Sequence, residues 1–160
     1  MELIFFTVEP KELQGIQHSC IYNLIRRKTF DEAKFEKRWL VIVDGTQMYS
    51  GKRKINKNCL ERHYNQDTDE ETVNYHCDVL VAKIVFGDKL IVSIGREFIE
   101  NNGEDTVRRK KMSDAEIKQD CETKAFLGLA SKIKKKYPRQ PLTLLADSLY
   151  ASETVMDICR

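Results

Sequence analysis

Residues 38–46 read RWLVIVDGT, and the fold turns on how this stretch is taken. Behind Arg38 the run is short, continuous and apolar, and it stops at Asp44-Gly45-Thr46. That is the pattern of a strand buried on both faces, which places it centrally in a sheet. Residues 142–146, LTLLA, repeat the pattern and again run into an acid, Asp147.

The segments around these two runs fill in the architecture. Residues 49–74 turn polar, basic and then acidic without a sustained period, which predicts a loop or an irregular hairpin extension. Residues 75–86 and 89–98 are strand-like, and Gly87-Asp88 between them predicts a tight antiparallel hairpin. Ser113, with Glu116 three residues later, is a capping-box signature for a long helix. Its core face is expected at Ile117, Cys121, Ala125, Leu129 and Ile133, and its end at Tyr137-Pro138, because proline disfavours helix at the residue before it. Ser152 and Glu153 open a final helix. Upstream, residues 9–30 have helical spacing in Leu13, Ile16, Cys20, Leu24 and Ile25, with basic residues gathered at the end. The order predicts an α/β chain: a helical lead-in at 1–37, then one compact unit at 38–160 with a mixed sheet flanked by helices.

Composition is permissive. At 160 residues, 41% hydrophobic and 32% charged, the chain has room for the core of one soluble domain. Lys and Arg number 27 against 25 Asp and Glu, and a net charge of +2 is too small to indicate a nucleic-acid partner by itself. The basic residues do cluster, at Arg26-Arg27-Lys28, Lys52-Arg53-Lys54, Arg108-Arg109-Lys110-Lys111 and 132–136. Five scattered cysteines lack the dense pairing of a secreted scaffold and point to a reducing, cytoplasmic setting. The apolar start, residues 1–6, is too short and has no basic leader, so it does not read as a signal peptide. Nothing approaches the run of about 18 apolar residues that a membrane-spanning helix needs, and no membrane partner is expected.

Asp44 and Asp147 carry the chemistry. If their strands are parallel neighbours, both carboxylates emerge at the same carboxyl edge, where open α/β sheets place ligands. Adjacent carboxylates repel, and a hard divalent cation with oxygen preference, magnesium or manganese, relieves the repulsion. Two such ions about 3.5–4 Å apart perform in-line phosphoryl transfer. Taken singly, each aspartate reads as a turn or cap residue; the pair favours function. Lys52, Arg53, Lys54, Lys57 and Arg62, interleaved with Tyr49 and Tyr64, form a basic segment suited to gripping DNA phosphates. Glu97 and Glu100 read as a solvated loop end, and Lys132, Lys134, Lys135 and Lys136 as the favoured cations of a helix terminus. Cys59, His63, His76 and Cys77 do not have zinc-finger spacing, and His76 and Cys77 point to opposite faces of one strand. Asp120 and Glu122 sit early in the long helix, where acids are favoured anyway.

Several words in the chain, in order and spacing, are similar to the DDE transposases of bacterial insertion sequences. They are Val43-Asp44-Gly45-Thr46, Tyr75-His76 entering a strand, Glu97-Phe98-Ile99-Glu100-Asn101, Lys118-Gln119-Asp120-Cys121-Glu122 and Leu145-Ala146-Asp147-Ser148-Leu149-Tyr150-Ala151. The resemblance covers nearly the whole chain. It implies a ribonuclease-H-like fold, cleavage and strand transfer of double-stranded DNA, a bacterial nucleoid setting, self-association of the full-length protein, and an Asp-Asp-Glu triad holding two metal ions. Asp44 matches the first aspartate and Asp147 the second, and the recurrence of the word around Glu122 implies a role near the metal. The family's third carboxylate, a glutamate on a later helix, has no match in the thirteen residues after Asp147. A partial, catalytically silent core is therefore expected. The alternatives are a stand-alone metal-dependent nuclease, with Glu97 or Asp120 as the missing ligand, and a non-catalytic remnant that binds DNA or protein.

Overall fold

The structure is a computed structural model and describes residues 10–65, 68–88, 90–101 and 112–159. The basic cluster Arg108-Arg109-Lys110-Lys111 and the apolar start lie outside the described residues. The strands are β1 (Trp39–Gly51), β2 (Leu60–Tyr64), β3 (Thr72–Phe86), β4 (Leu90–Ile99) and β5 (Leu142–Leu145), and the helices α1 (Pro10–Arg26), α2 (Asp114–Lys136) and α3 (Glu153–Cys159). Short 3-10 turns occupy Asp31–Ala33 and Ser148–Tyr150.

The five strands form one curled mixed sheet. Along one edge of β3 runs β1; along the other, β2 pairs with its first part and β4 with the rest. On the far side of β1 lies β5, the one parallel neighbour among the described strands. The chain is thus α/β, with a meander of antiparallel strands and a helical crossover, α2, that returns to a parallel strand beside the first.

The first strand differs from expectation in two ways. It does not stop before Asp44 but continues to Gly51, because β3 supplies ladder partners on both sides of a single irregularity at Met48, Asp44↔Val81, Gly45↔Leu80 and Thr46↔Val79 among them. Nor is it buried on both faces. Trp39, Val41 and Val43 are fully buried, whereas Leu40 and Ile42 on the opposite face are only half-buried. The polar stretch beyond it proves to be a hairpin extension, with β2 as an added short strand.

The buried face is completed by Leu80, Ala82, Ile84 and Phe86 of β3, which register places beside the buried residues of β1. Trp39 meets Phe86 edge to face at 5.1 Å between ring centres, and Phe30 packs on the same Phe86. The β3–β4 turn needs Gly87, whose φ of 66° favours a residue without a Cβ. Two register shifts leave Met48 and Ile94 as extra residues that bend their strands.

Helix α2 covers this face. Its capping box forms in both directions, Ser113 accepting from the Glu116 N–H and Glu116 accepting from the Ser113 N–H. Those bonds hold the Glu116 carboxyl below its ordinary range. Four-residue steps drift by about 40° around a helix, so the stripe widens from Cys121, Ala125, Leu129 and Ile133 to include Phe126 and Ala130, while Ile117 is half-buried. The helix stops at Lys136, with Tyr137 as its cap and Pro138 following. In α1 the expected stripe holds only near the end: Ile25 joins the core and Leu24 is half-buried, whereas Leu13, Ile16 and Cys20 are exposed, and Ile21, outside that stripe, is buried instead. The Gln17 amide donates to the Ser93 carbonyl at 2.7 Å, and the His18 ring meets Tyr137.

Close approach of α2 depends on Gly95. A Cβ there would lie 2.9 Å from Leu129 Cδ1, so the fully buried Leu129 side chain would have to shift. At Gly128, inside α2, a Cβ would sit at an ordinary 3.6 Å from Glu97. Gly95→Ala is therefore expected to destabilise by about 1–3 kcal/mol through overpacking, and Gly128→Ala to stabilise by about 0.5–1 kcal/mol through helix propensity. Urea midpoints of the two variants moving in the same direction would contradict this packing.

Candidate functional site

The parallel ladder of β1 and β5 pairs Trp39↔Leu142, Leu40↔Thr143, Val41↔Leu144 and Ile42↔Leu145. Two residues beyond the last pair stand Asp44, still within β1, and Asp147, past the end of β5, so both follow the carboxyl end of the parallel pair. Both are exposed. Asp147 has extended backbone, φ −62° and ψ 154°, and heads the 3-10 turn Ser148–Tyr150, where the Ser148 hydroxyl donates to its Oδ1 at 3.1 Å. Asp44 lies inside β1 opposite Val81, not in a turn.

Tyr150 links these aspartates to α2. Its ring is buried and stacks on Phe126 at 4.5 Å between centres, and its hydroxyl donates to Glu122 Oε1 at 2.5 Å. Burial first, then the Glu122 bond, then the charges of Glu122, Asp44 and Asp147, push the Tyr150 hydroxyl far above its ordinary pKa. Three carboxylates therefore surround one neutral phenol. The same Glu122 Oε1 would lie 3.2 Å from a Cβ at Gly45, so a side chain there would crowd it.

Glu122 nevertheless reaches the sheet on a different face from Asp44. Strand alternation puts Gly45 with Val43 and Leu80 on the face under α2, and Asp44 with Ile42 and Val81 on the other. Among the described residues no group of three or more His, Cys, Asp or Glu side chains comes together closely enough to hold a metal ion. Of the other acids considered, Glu97 forms an ion pair with Lys132 of α2, and Asp120 pairs with Lys124 at 3.2 Å. Glu100 is half-buried beyond the end of β4.

The basic segment lies further along. Lys52, Arg53, Lys54 and Lys57 occupy the connection between β1 and β2, exposed, and Arg62 is exposed on β2. Since β1 runs on past Asp44 to Gly51, the connection begins roughly 20 Å beyond the aspartate at about 3.3 Å per residue. Lys54 is already engaged by Glu61 at 2.8 Å and lies over the Tyr75 ring, and the Glu61 bond raises its pKa. Tyr49 donates its hydroxyl to the Arg53 carbonyl at 2.7 Å. Arg62 has no ion-pair partner among the described residues.

A cavity of about 540 Å³ opens between β2 and the first turns of α2, lined by Arg62, His63, His76, Asp114, Lys118 and Glu122 among others. Sequence reading did not find it. Its signal was Asp78, an acid on the buried parity of an otherwise apolar strand; it is 3% exposed, beside His76 at 5%. Lys118 Nζ lies 3.2 Å from Asp78 Oδ2, while His76 Nε2, 3.9 Å from that same oxygen, has no hydrogen-bond partner, nor has Asp78 Oδ1. Burial lowers the His76 pKa, opposed by Asp78. His63 behaves oppositely: its ring nitrogen meets Glu71 at 2.9 Å, which raises its pKa, and its backbone N–H donates to Asp114 at 2.6 Å.

Cys59 and Cys77 are free thiols. Burial, and then the bond to Cys59, push the Cys77 thiol up to about 12, so it stays protonated and unreactive near neutral pH. A second cavity of about 530 Å³, largely apolar, lies between α2, α3 and β5 and is bordered by Asp147.

Comparison with protein-family models, with curated proteins and with solved structures finds no match. Among the described residues no helix is long and apolar enough to cross a membrane.

The two histidines at the first cavity should titrate on opposite sides of the ordinary value of about 6.5. Buried neutral His76 contributes stability that is present above the unfolded pKa and lost as pH falls below it; paired His63 contributes stability that is present below it and lost as pH rises through its raised folded pKa. Ring-proton NMR titration is expected to give a midpoint above that value for His63 and below it for His76. The reverse order, or coincident midpoints, would refute the assigned environments.

Proposed function

We propose that the chain is part of the catalytic core of a DDE-type DNA transposase, with a ribonuclease-H-like fold and with Asp44 and Asp147 as two of its metal-binding carboxylates. The observation that supports the reading is that Asp44 and Asp147 each follow by two residues the last pair, Ile42↔Leu145, of the parallel ladder of β1 and β5. The order of strands supports it: the antiparallel strands β1, β3 and β4, with the short β2 inserted between the first two, then a helical crossover to a strand beside the first. Three of the words that carry the resemblance come together near that edge, with Gly45 beside Asp44, Tyr150 just past Asp147, and Glu122 bonded to Tyr150, whereas Tyr75-His76 lies further along β3, opposite Gly51 and Ser50.

Magnesium or manganese held there would supply the polarisation of a DNA phosphodiester and of the attacking hydroxyl. The chain's own part is narrower. Asp44 and Asp147 offer oxygen ligands on a rigid strand and at the head of a tight turn. Tyr150 fixes Glu122 by a buried hydrogen bond, and exposed Lys52, Arg53, Lys57 and Arg62 give the hairpin extension a charge suited to phosphates. Two carboxylates without a third joined to them fit a cation incompletely, so weak metal affinity and no strand transfer are expected of this chain.

Calorimetric titration with manganese tests the reading. Weak heats in the wild type should be lost in Asp44→Asn and in Asp147→Asn. Identical heats in all three proteins would overturn the metal site and leave the non-catalytic alternative. Asp44-dependent cleavage of a supercoiled plasmid would show instead that the chain acts as a nuclease without further residues.

A further inference from the structure

Three basic segments far apart in the sequence meet where β1 begins and α2 ends. The Trp39 N–H donates to the Pro141 carbonyl at 2.9 Å, Phe30 reaches Trp39 through Phe86, and His18 of α1 meets Tyr137 at the cap of α2. Arg26, Arg27 and Lys28 stand at the close of α1, Lys37 and Arg38 at the entry to β1, and Lys135, Lys136 and Arg139 at the exit from α2, all of them exposed. None of these has an ion-pair partner among the described residues, whereas Lys34 is held by Asp31 at 2.7 Å. The acids of this end do not cancel the charge. Asp88 follows Gly87, whose Cβ would lie 3.5 Å from Ala33, and Asp157 precedes Ile158, whose carbonyl accepts from Lys134. With Lys134 included, nine cations face the four acids Glu32, Glu36, Asp88 and Asp157. The carboxyl ends of α1 and α2 add about half a negative charge each, so several positive charges remain.

The same end displays aromatic rings. Phe35 is 57% exposed and Tyr22 46%, the latter one helical turn before Arg26 on the same face of α1. A two-residue turn fixes the backbone under Phe35: its N–H donates to the Arg38 carbonyl at 2.9 Å, and its carbonyl accepts from the Arg38 N–H at 2.8 Å. Glu36 and Lys37, between them, have φ of 48° and 65°, the left-handed region that favours glycine or asparagine. A lone exposed ring, or cations at a helix end, need no function. Rings and unpaired cations on one surface are what a single strand of nucleic acid requires, because cations follow its phosphates and rings stack on its bases. We propose that this end of the molecule binds single-stranded nucleic acid, with phosphates along Arg38, Lys135, Lys136 and Arg139 and a base stacked on Phe35. A duplex keeps its bases stacked on one another and leaves the rings unused. An anionic lipid surface would meet the charge, yet two separate rings are not the continuous apolar face that insertion into a bilayer needs. Lys52, Arg53 and Lys57 lie beyond the other end of β1, whose 13 residues span about 40 Å, and the surface does not depend on the metal-binding reading of Asp44 and Asp147.

The test is fluorescence anisotropy of a short labelled oligothymidylate titrated with the whole chain, without metal, at several salt concentrations. A duplex of the same length and vesicles of phosphatidylglycerol serve as competitors. The single strand is expected to bind more tightly than the duplex, with an affinity that falls as salt rises. Lys135→Gln, Lys136→Gln and Arg139→Gln together should weaken it by about tenfold and flatten the salt dependence, and the same change at Lys52, Arg53 and Lys57 should weaken it less. Phe35→Ala, at an exposed position, should weaken the single strand by about tenfold through loss of stacking and leave the salt dependence unchanged, and Phe35→Trp should restore it. Circular dichroism melts of all variants matching the wild type would show that the fold is kept. Full affinity in Phe35→Ala or in the triple variant, equal affinity for the duplex, or displacement of the strand by vesicles overturns the proposal.

Discussion

The pairing of β1 on both edges is the constraint on which the rest depends. With β3 it forms a long antiparallel ladder, from Val41↔Ile84 to Gly51↔Tyr75, and with β5 a parallel ladder of only four pairs. The long ladder fixes which side chains of β1 enter the core, since a slip of one residue would exchange Trp39, Val41 and Val43 for their outward neighbours. The short ladder sets the height of Asp147 against Asp44. One carboxylate therefore stands on backbone held within a strand, while the other stands where the chain has just left the sheet and turns toward Tyr150.

Helix α2 serves both the core and the surface. One stripe buries Phe126, Leu129 and Ile133, each contributing about 1.5–3 kcal/mol through removal from water, with Gly95 allowing the close approach. Lys118, Gln119 and Glu122, on its first turns, reach the cavity beside β2. The capping box fixes where the helix begins, and so where those three residues stand relative to Asp78 and Tyr150. An error of one residue in that start would rotate them by about 100°, away from both partners.

Much of the fold could be read from residue pattern alone, because the decisive signals were local. The continuous run RWLVIV, the Gly87-Asp88 turn and the Ser113–Glu116 box each specify an element through their own chemistry, and each element formed. What the pattern could not supply was the effect of neighbours. Asp44-Gly45-Thr46 resembles a strand stop, yet β3 carries the strand through it. The stripe of α1 follows helical spacing, yet of its residues only Ile25 is fully buried, and Ile21, outside the stripe, joins it in the core. At the candidate site Asp44 and Asp147 were legible because each ends an apolar run. Tyr150 and the His76–Asp78–Lys118 group were not, since their roles depend on a ring stacked across elements and on an acid aligned by register with a lysine of α2.

The acids near this edge are arranged so that the chain tolerates them without a cation. Two unit charges about 5 Å apart repel by roughly 1 kcal/mol in water and by about 3 kcal/mol at an effective dielectric of 20, and by less at larger separation. Asp44 and Asp147 are both exposed, which favours the smaller figure. Bringing Glu122 onto the same point would add two more repulsions in a less hydrated place. Instead the Tyr150 hydroxyl, kept neutral by burial, holds Glu122 on the face under α2. This hydrogen bond restrains Glu122, so for that acid to join a cation shared with the pair it must first leave Tyr150.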